Sequence, residues 1–277
     1  MRGRTRAALA AAALLAGAAS LAYAQNIILG GSRGGVAKWA RLEDFDGSFH
    51  YCRGAYTSNR GEAGGQGWWT DYPAADNNFS VRLAELTRVH VKLDESRQPN
   101  FVTVRLDDPL LFRCPILFME DVGTMFLNED EERGLGMYLM KGGFLWVDDF
   151  WGSWAWEQWT DQLTRVLPRG EYPIVDIPTS HPIMRVLYDV KEIPQISSIN
   201  FWSRSGGDTS ERGPDSARVN FRGIQDPRNG RLMVVMTHNT DIADAWEREG
   251  ENHEYFALFS PRGYAIGVNF VLYAMTH

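Results

Sequence analysis

Phe144-Leu145-Trp146-Val147-Asp148-Asp149 is a wholly apolar run that stops at two aspartates. A second run of this kind, Pro115-Ile116-Leu117-Phe118-Met119, precedes it in the chain, and Leu232-Met233-Val234-Val235-Met236 follows it. Apolar runs of four or five residues are typical of strands that are covered on both faces, as in a parallel sheet. We therefore expect these three segments to be the central strands of the fold.

Helical patterns alternate with the strands. Asn128 can cap a helix over residues 129–141, because the acids Glu129, Asp130 and Glu131 follow it in the first turn. Further predicted helices contain Phe79, Leu83 and Leu86, then residues 156–167 and 265–275. Further predicted strands are Cys52–Arg53, Val89–Leu93, Phe101–Leu106 and Ile174–Val175. This alternation predicts an α/β fold, a mainly parallel sheet with helices on both faces.

The domain organisation is simple. Residues 25–48 are rich in glycine and predict an N-terminal arm, and residues 49–277 predict a single domain. Residues 203–230 are polar and rich in Gly, Arg and Asp, so we interpret them as a long surface excursion. This excursion could contact a partner.

The first 24 residues have the pattern of a secretory signal peptide. Three arginines precede an Ala/Leu run, and Ala22-Tyr23-Ala24 offers a cleavage site before Gln25. We expect export to the periplasm or the extracellular space and, because the apolar run is short, no transmembrane span. The net charge is −7 and the arginines of the leader would be removed, so nucleic acid is not an expected partner.

The two cysteines leave two possibilities open. In an oxidising compartment Cys52 and Cys114 could pair, provided that their strands are neighbours and their side chains face each other. The sequence does not show this geometry. We therefore favour two buried free cysteines that pack as small apolar groups.

Several blocks of the sequence resemble the DUF4159 family, a domain of uncharacterised function. The blocks are Arg105-Leu106-Asp107-Asp108-Pro109 with Leu111–Met119, Leu139–Asp149, His181-Pro182-Ile183, Leu187-Tyr188-Asp189 and Gly267–Thr276. They occur in the family's order and extend from about residue 49 to residue 276.

This resemblance implies a flavodoxin-like fold similar to that of class I glutamine amidotransferases. Those enzymes carry a catalytic cysteine on the turn after a central strand. Here the corresponding turn is Met119-Glu120-Asp121-Val122-Gly123, which has neither a cysteine nor the Gly-His-Gly that family members often show. Amidotransferase activity is therefore not expected.

Candidate site residues follow from the sheet, because ligands of open parallel sheets bind beyond the carboxyl ends of the strands. The candidates are Arg53, Glu120, Asp121, Asp148, Asp149, Trp151, Trp154, His238, Asn239 and Asp241. We expect Arg53, Glu120, Asp148 and His238 to converge. Close carboxylates would raise each other's pKa and could share acid and base roles, or Asp and His could bind a divalent cation. Alternatively, Asp148 or Asp149 only caps a turn.

Aromatic residues lie beside these acids. Trp151 and Trp154 fall in the predicted loop after Asp149 and could stack on a sugar, whereas Trp156 and Trp159 have helical spacing and are expected to pack on the sheet. The glycines of residues 61–67 match no nucleotide-binding motif. No motif for a cofactor is present, although a divalent cation remains compatible with the acids.

The sequence supports more than one function. We expect an exported, non-catalytic binding or scaffold domain with a small ligand, for example a carbohydrate, or a protein partner at the carboxyl edge of the sheet. The alternative is a hydrolase that acts on carbohydrate or peptide through the carboxylates of this edge.

Overall fold

The computed structural model of the protein describes residues 36–62 and 65–277. The predicted signal peptide and residues 25–35 of the predicted arm lie outside the described residues. Residues 38–277 form one compact unit. No helix within the described ranges is long and apolar enough to cross a membrane.

One sheet of seven strands organises this unit. In the order β2-β1-β3-β4-β7-β6-β5, the first five strands are parallel, and β6 runs antiparallel to both of its neighbours. The order 2-1-3-4 followed by one further parallel strand is that of flavodoxin-like proteins, so the predicted fold class is confirmed. The strands are β1 Cys52–Ala55, β2 Val102–Arg105, β3 Leu117–Glu120, β4 Leu145–Asp148, β5 Val175–Asp176, β6 Asn220–Gln225 and β7 Leu232–His238.

Helices cover both faces of the sheet. On one face Phe118 of β3 and Trp146 of β4 pack in a core that includes Phe270, whose ring centroid lies 4.8 Å from that of Trp146. On the other face Trp159 donates a hydrogen bond to the sulfur of Met236 at 3.4 Å. The helices are α1 Ala74–Leu86, α2 Glu129–Met140, α3 Gly152–Val166, α4 Ile199–Ser205, α5 Asp244–Glu247 and α6 His253–Thr276.

Helix α2 forms where the sequence predicted it. The Asn128 side chain accepts hydrogen bonds from the backbone N–H groups of Asp130 and Glu131, and the Glu131 side chain accepts one from the Asn128 N–H. This reciprocal capping satisfies donors that an α-helix leaves free at its start. Leu135 and Leu139 are fully buried, as the predicted stripe requires.

Several predicted elements need correction. Residues 203–230 are not a surface excursion, because they contain β6, which lies between β5 and β7 in the sheet. Val89–Leu93 forms only isolated bridges, to Phe49 and Pro99. Helix α3 begins at Gly152 and α6 at His253, both earlier than predicted, and Leu86 is exposed at the end of α1.

The preference for free cysteines was wrong. Cys52 and Cys114 form a disulfide whose Cα atoms are 5.9 Å apart. Cys52 begins β1, and Cys114 lies three residues before the neighbouring strand β3, so the fold brings the two side chains together. A link between residues this far apart in the sequence typically stabilises a fold by about 2–4 kcal/mol.

Candidate functional site

A buried arginine lies at the switch point of the sheet, where β1 has β2 as its neighbour on one side and β3 on the other. Arg53 is fully buried on β1. Its Nε donates to both carboxylate oxygens of Asp76 on α1, at 2.9 and 3.1 Å, and its Nη1 pairs with Glu120 at the end of β3. We name these three residues the arginine network. Its two carboxylates share one cation.

The arginine network also fixes the chain that enters α1. Arg53 Nη1 donates to the carbonyl oxygens of Trp68 at 3.2 Å and Thr70 at 2.8 Å. Burial raises the pKa of Glu120 to about 7, although Arg53 opposes this shift. The guanidinium donates to carboxylates and carbonyls on all sides, so the geometry gives Arg53 a structural role at this edge.

Asp148, at the end of β4, caps the chain that follows β7. One of its oxygens accepts hydrogen bonds from the backbone N–H groups of Ile242 at 2.6 Å and Ala243 at 3.1 Å, and the other accepts from the Thr237 hydroxyl at 2.5 Å. Burial raises the pKa of Asp148 to about 8, and the charge of Glu120 contributes. The capping interpretation of Asp148 therefore agrees with its contacts.

A small cavity of about 10 Å³ lies between Glu120 and Asp148. This volume fits roughly one water molecule. Tyr51 and Trp246 also line it, and among the described residues neither the Tyr51 hydroxyl nor the Trp246 indole nitrogen has a hydrogen-bond partner. Glu120, Asp148 and Arg53 are thus close neighbours, as predicted.

His238, the fourth residue expected there, lies elsewhere. Successive side chains of a strand point to opposite faces. Thr237 reaches Asp148, so His238 points to the other face, where its Nε2 contacts the Gly152 carbonyl oxygen at 3.0 Å and its ring packs against Trp156. Burial lowers the pKa of His238 to about 4. The expected convergence was wrong for His238, which is neutral near pH 7.

Three neighbouring strand ends share an uncommon backbone conformation. Asp121 follows β3, Asp149 follows β4 and Asn239 follows β7, with left-handed φ angles of 51°, 50° and 64°. We name these residues the strand-end row. The Asp121 N–H donates to the Asp149 carbonyl at 3.1 Å, and the Asn239 N–H donates to the Phe150 carbonyl at 3.0 Å. Strained backbone of this kind clusters at binding and active sites.

The Asp121 side chain forms a pair with a second carboxyl group. Its Oδ2 accepts a hydrogen bond from the Gly67 N–H at 2.5 Å, and its carboxyl group lies close enough to that of Glu62 for the two charges to interact. Burial and the charge of Glu62 raise the pKa of Asp121 to about 8. Glu62 in turn pairs with Arg212 at 3.0 Å. The proximity of two carboxyl groups favours a state in which one of them holds a proton.

The candidate tryptophans differ in exposure. Trp151 is buried, and its indole N–H donates to Asp149 Oδ1 at 2.8 Å. Trp154 is 47% exposed and lies in the first turn of α3 rather than in a loop, with the Arg60 guanidinium 3.2 Å from its ring centroid. Of the two, only Trp154 is exposed to solvent, and Arg60 covers one face of its ring.

The remaining two candidates, Asn239 and Asp241, hydrogen-bond to the backbone of the turns around them. Asn239 Oδ1 accepts from the Gly152 N–H at 2.8 Å, and Asn239 Nδ2 donates to the Arg218 carbonyl at 2.8 Å. Asp241 is buried, and its Oδ1 accepts from the Asp244 N–H at 2.9 Å.

Sequence reasoning missed three further acids at this edge. Asp71, Asp244 and Glu247 place one carboxylate oxygen each within 4.8 Å of one another. We name them the three-carboxylate cluster. Burial is the main reason why the pKa of each of these acids is raised, and the charges of neighbouring acids raise it further. The spacing of three residues from Asp241 to Asp244 to Glu247 could have indicated a shared helix face, whereas Asp71 lies in a turn and carries no periodic signal.

The fold and this edge define a flavodoxin-like α/β protein in which buried acids surround the carboxyl ends of the strands. The chain belongs to the family described as Domain of unknown function (DUF4159), whose sequence profile matches residues 57–275. The predicted family is therefore confirmed. A comparison with curated proteins gave no match.

Proposed function

We propose that this protein is an exported binding domain without a catalytic role, whose ligand contacts the strand-end row. The main support for this proposal is the strand-end row itself. Three adjacent strands each end in a left-handed residue, and hydrogen bonds join the turns that follow them. A rigid, polar edge at the carboxyl ends of parallel strands is where ligands of this fold class bind.

The state of the cysteines supports a non-catalytic role. Both are joined in the disulfide, so neither offers a thiolate for the chemistry of the amidotransferases. The turn after β3, which corresponds to the turn that carries the nucleophile in those enzymes, contains Asp121. Its carboxyl group, with a pKa of about 8, is largely protonated at neutral pH and is a weak nucleophile in that form.

The surroundings of the row favour a polyhydroxylated ligand such as an oligosaccharide. Trp154 offers an exposed aromatic surface on the helix that follows Asp149. Arg60 lies at the same edge and can donate hydrogen bonds to hydroxyl groups. An apolar ring beside a few fixed polar groups is the usual composition of small-molecule sites.

Calorimetric titration with chitotetraose and cellotetraose tests this proposal. We expect one of these probes to bind, and Trp154→Ala to weaken its binding at least 10-fold because the stacking surface is removed. Phe112→Ala is the matched control, since Phe112 is also an exposed aromatic with a cation, Lys141, near its ring. Failure of both probes to bind, or equal binding by wild type and Trp154→Ala, would overturn the carbohydrate proposal.

Export has a separate test. The disulfide supports an oxidising compartment, because such bonds persist mainly in exported proteins. When the full chain is expressed with its own leader, we expect the periplasmic or secreted protein to begin at Gln25. N-terminal sequencing reads this directly. A protein that retains residues 1–24 would contradict cleavage and indicate a tethered protein.

A hydrolase is the second candidate, and the Glu62–Asp121 pair favours it. Two carboxyl groups that share a proton are the catalytic pair of aspartic proteases, whereas the two carboxyl groups of glycosidases lie roughly 5–9.5 Å apart. The contact between Glu62 and Asp121 therefore fits peptide hydrolysis better than hydrolysis of carbohydrate. Mass spectrometry of an unstructured peptide incubated with the protein would detect cleavage, and Asp121→Asn should abolish it. Cleavage by wild type but not by Asp121→Asn would support the hydrolase and overturn the proposal of a non-catalytic binding domain.

A further inference from the structure

We propose that the three-carboxylate cluster of Asp71, Asp244 and Glu247 is a binding site for a divalent cation of the calcium type. This site goes beyond the ligand proposed for the strand-end row. It stands on different residues and can be tested independently.

The spacing of the oxygens fits calcium. One oxygen from each residue lies within 4.8 Å of the other two. Two ligands of one Ca²⁺ ion are at most about 5 Å apart, twice the Ca–O distance, so this upper limit on the oxygen separations is compatible with Ca²⁺. Three carboxylates from two segments can therefore bind one Ca²⁺ ion without rearrangement of the backbone.

The donor set is made of oxygen atoms alone. Carboxylates bind hard cations such as Ca²⁺ and Mg²⁺, and sites for softer metals contain histidine or cysteine. Asp241 and Asp149 lie near enough to act electrostatically on Asp71 and add negative potential, whereas Arg248 and Arg53 offset part of the charge of Glu247. The cluster and its surroundings thus attract a small cation.

An unpartnered oxygen provides an independent observation. Asp244 is 3% exposed, and its carboxyl group lies beside those of Asp241 and Glu247. The Oδ2 atom of Asp71 is shielded from solvent and has no hydrogen-bond partner among the described residues. Buried carboxylate oxygens are normally hydrogen-bonded or coordinate a metal. Among the described residues, this oxygen of Asp71 therefore lacks the donor that such oxygens require.

The fold prevents the three acids from moving apart. Asn78 on α1 donates hydrogen bonds to the carbonyl oxygens of Trp246 at 2.7 Å and Glu247 at 3.1 Å, so α5 is tied to α1. Arg53 holds the Thr70 carbonyl, the residue before Asp71. Electrostatic repulsion is therefore not relieved by displacement and has to be balanced by a proton or a bound cation.

The nearest cations of the chain are engaged elsewhere. Arg53 pairs with Asp76 and Glu120, and Arg248 pairs with the exposed Glu251. Among the described residues, no lysine, arginine or histidine lies within ion-pair distance of the cluster. The missing positive charge has to come from solution.

Equilibrium dialysis with radioactive Ca²⁺ tests the site on the full, oxidised protein after removal of metal with a chelating resin, at pH 7.5. We expect one ion per chain, and a melting temperature that rises by about 5–10 °C at Ca²⁺ concentrations 100-fold above Kd. Mg²⁺ should bind at least 10-fold more weakly. Glu247→Gln and Asp244→Asn should each weaken Ca²⁺ binding at least 10-fold, and Glu247 is half-buried, so its variant should fold.

Two controls make the result specific. Glu254→Gln removes an exposed acid seven residues further along the chain and should leave Ca²⁺ binding unchanged. Trp154→Ala should also leave it unchanged, which separates this site from the proposed carbohydrate site. The proposal is overturned when wild type binds no Ca²⁺ at 1 mM, a concentration at which even weak extracellular calcium modules bind. Unchanged binding in both Glu247→Gln and Asp244→Asn would overturn it equally.

Discussion

The arginine network and the three-carboxylate cluster are neighbouring groups of buried acids with different charge compensation. In the arginine network, Asp76 and Glu120 surround a guanidinium that the chain itself supplies. In the cluster, three acids meet with no ion-pair partner among the described residues. The segment from Trp68 to Asp71 connects the two groups. Arg53 donates hydrogen bonds to carbonyl oxygens of this segment, and Asp71, its last residue, is a member of the three-carboxylate cluster.

This difference shows how one sheet edge can hold buried acids in two ways. The chain itself supplies the cation of the arginine network, which is therefore part of the folded core. Removal of Arg53 would leave the charges of Asp76 and Glu120 uncompensated. The cluster depends on protons or on a cation from solution, so its stability depends on the buffer. Substitutions in the two groups should therefore change stability in opposite directions.

The largest effect is expected from removal of the buried cation. Arg53→Met leaves Asp76 and Glu120 buried without a partner and should lower the free energy of unfolding by about 3–5 kcal/mol. Arg82→Met is the control, since Arg82 is partly exposed and pairs with Glu85 and Glu249, and ion pairs near the surface contribute about 1 kcal/mol or less each. Urea denaturation measures both variants. Similar losses in the two would remove the distinction between the groups.

The fold was predictable where local patterns determine it. Strands β3, β4 and β7 are uninterrupted apolar runs, and the capping residues of α2 are visible in the sequence. Strand β6 was missed because it is polar and half-buried, and because its pairing with β5 and β7, which no local pattern shows, places it in the sheet. The disulfide was missed because it depends on strand order.

The site was predictable only in part, for similar reasons. Asp148 and Glu120 end adjacent parallel strands, so their proximity follows from the topology. His238 was misplaced because β7 is apolar on both faces, and the sequence alone does not show which face its last residue joins. Asp71 is brought to the edge by the contacts of Arg53, which no local pattern reveals.

The next effect is a dependence of stability on pH. Asp148 and Glu120 have pKa values of about 8 and 7 in the folded protein, above their ordinary values of 3.8 and 4.5. The folded state therefore binds protons more tightly, and the stability that this contributes is full below about pH 4 and lost as the pH rises to about 8. We expect the free energy of unfolding to fall by about 2–4 kcal/mol between pH 5 and pH 8.

Chemical denaturation across this pH range, in a metal-free buffer, measures the slope. Asp148→Asn removes one of the groups and should make the slope shallower. A free energy of unfolding that rises from pH 5 to pH 8 would contradict the raised pKa values.

A smaller effect of opposite sign is expected in the three-carboxylate cluster. Asp244→Asn removes one of three repelling charges and supplies an amide that can donate to Asp71 or Glu247. In the presence of a chelator at pH 7.5 it should raise the free energy of unfolding by about 1 kcal/mol. Thermal melts with and without chelator check this. A variant that is less stable than wild type in the chelator would show that the cluster is not repulsive.

An effect similar in size to that of Asp244→Asn, but of opposite sign, is expected at the Asp148 cap. The Asp148→Asn variant would keep one acceptor oxygen for the backbone N–H groups of Ile242 and Ala243, so it should cost about 0.5–2 kcal/mol. Because Asp148 lies outside the three-carboxylate cluster, the variant should keep the affinity of the protein for Ca²⁺. Loss of Ca²⁺ binding in a variant of nearly wild-type stability would move the cation site to Asp148.

The most direct test of the central claim is a crystal structure of the metal-free protein soaked in Ca²⁺, with diffraction data collected at a wavelength where calcium scatters anomalously. The account predicts one anomalous peak at roughly 2.3–2.6 Å from oxygens of Asp71, Asp244 and Glu247. An occupied peak at another position only, or no peak in crystals soaked at millimolar Ca²⁺, would contradict the claim that a cation from solution balances these acids.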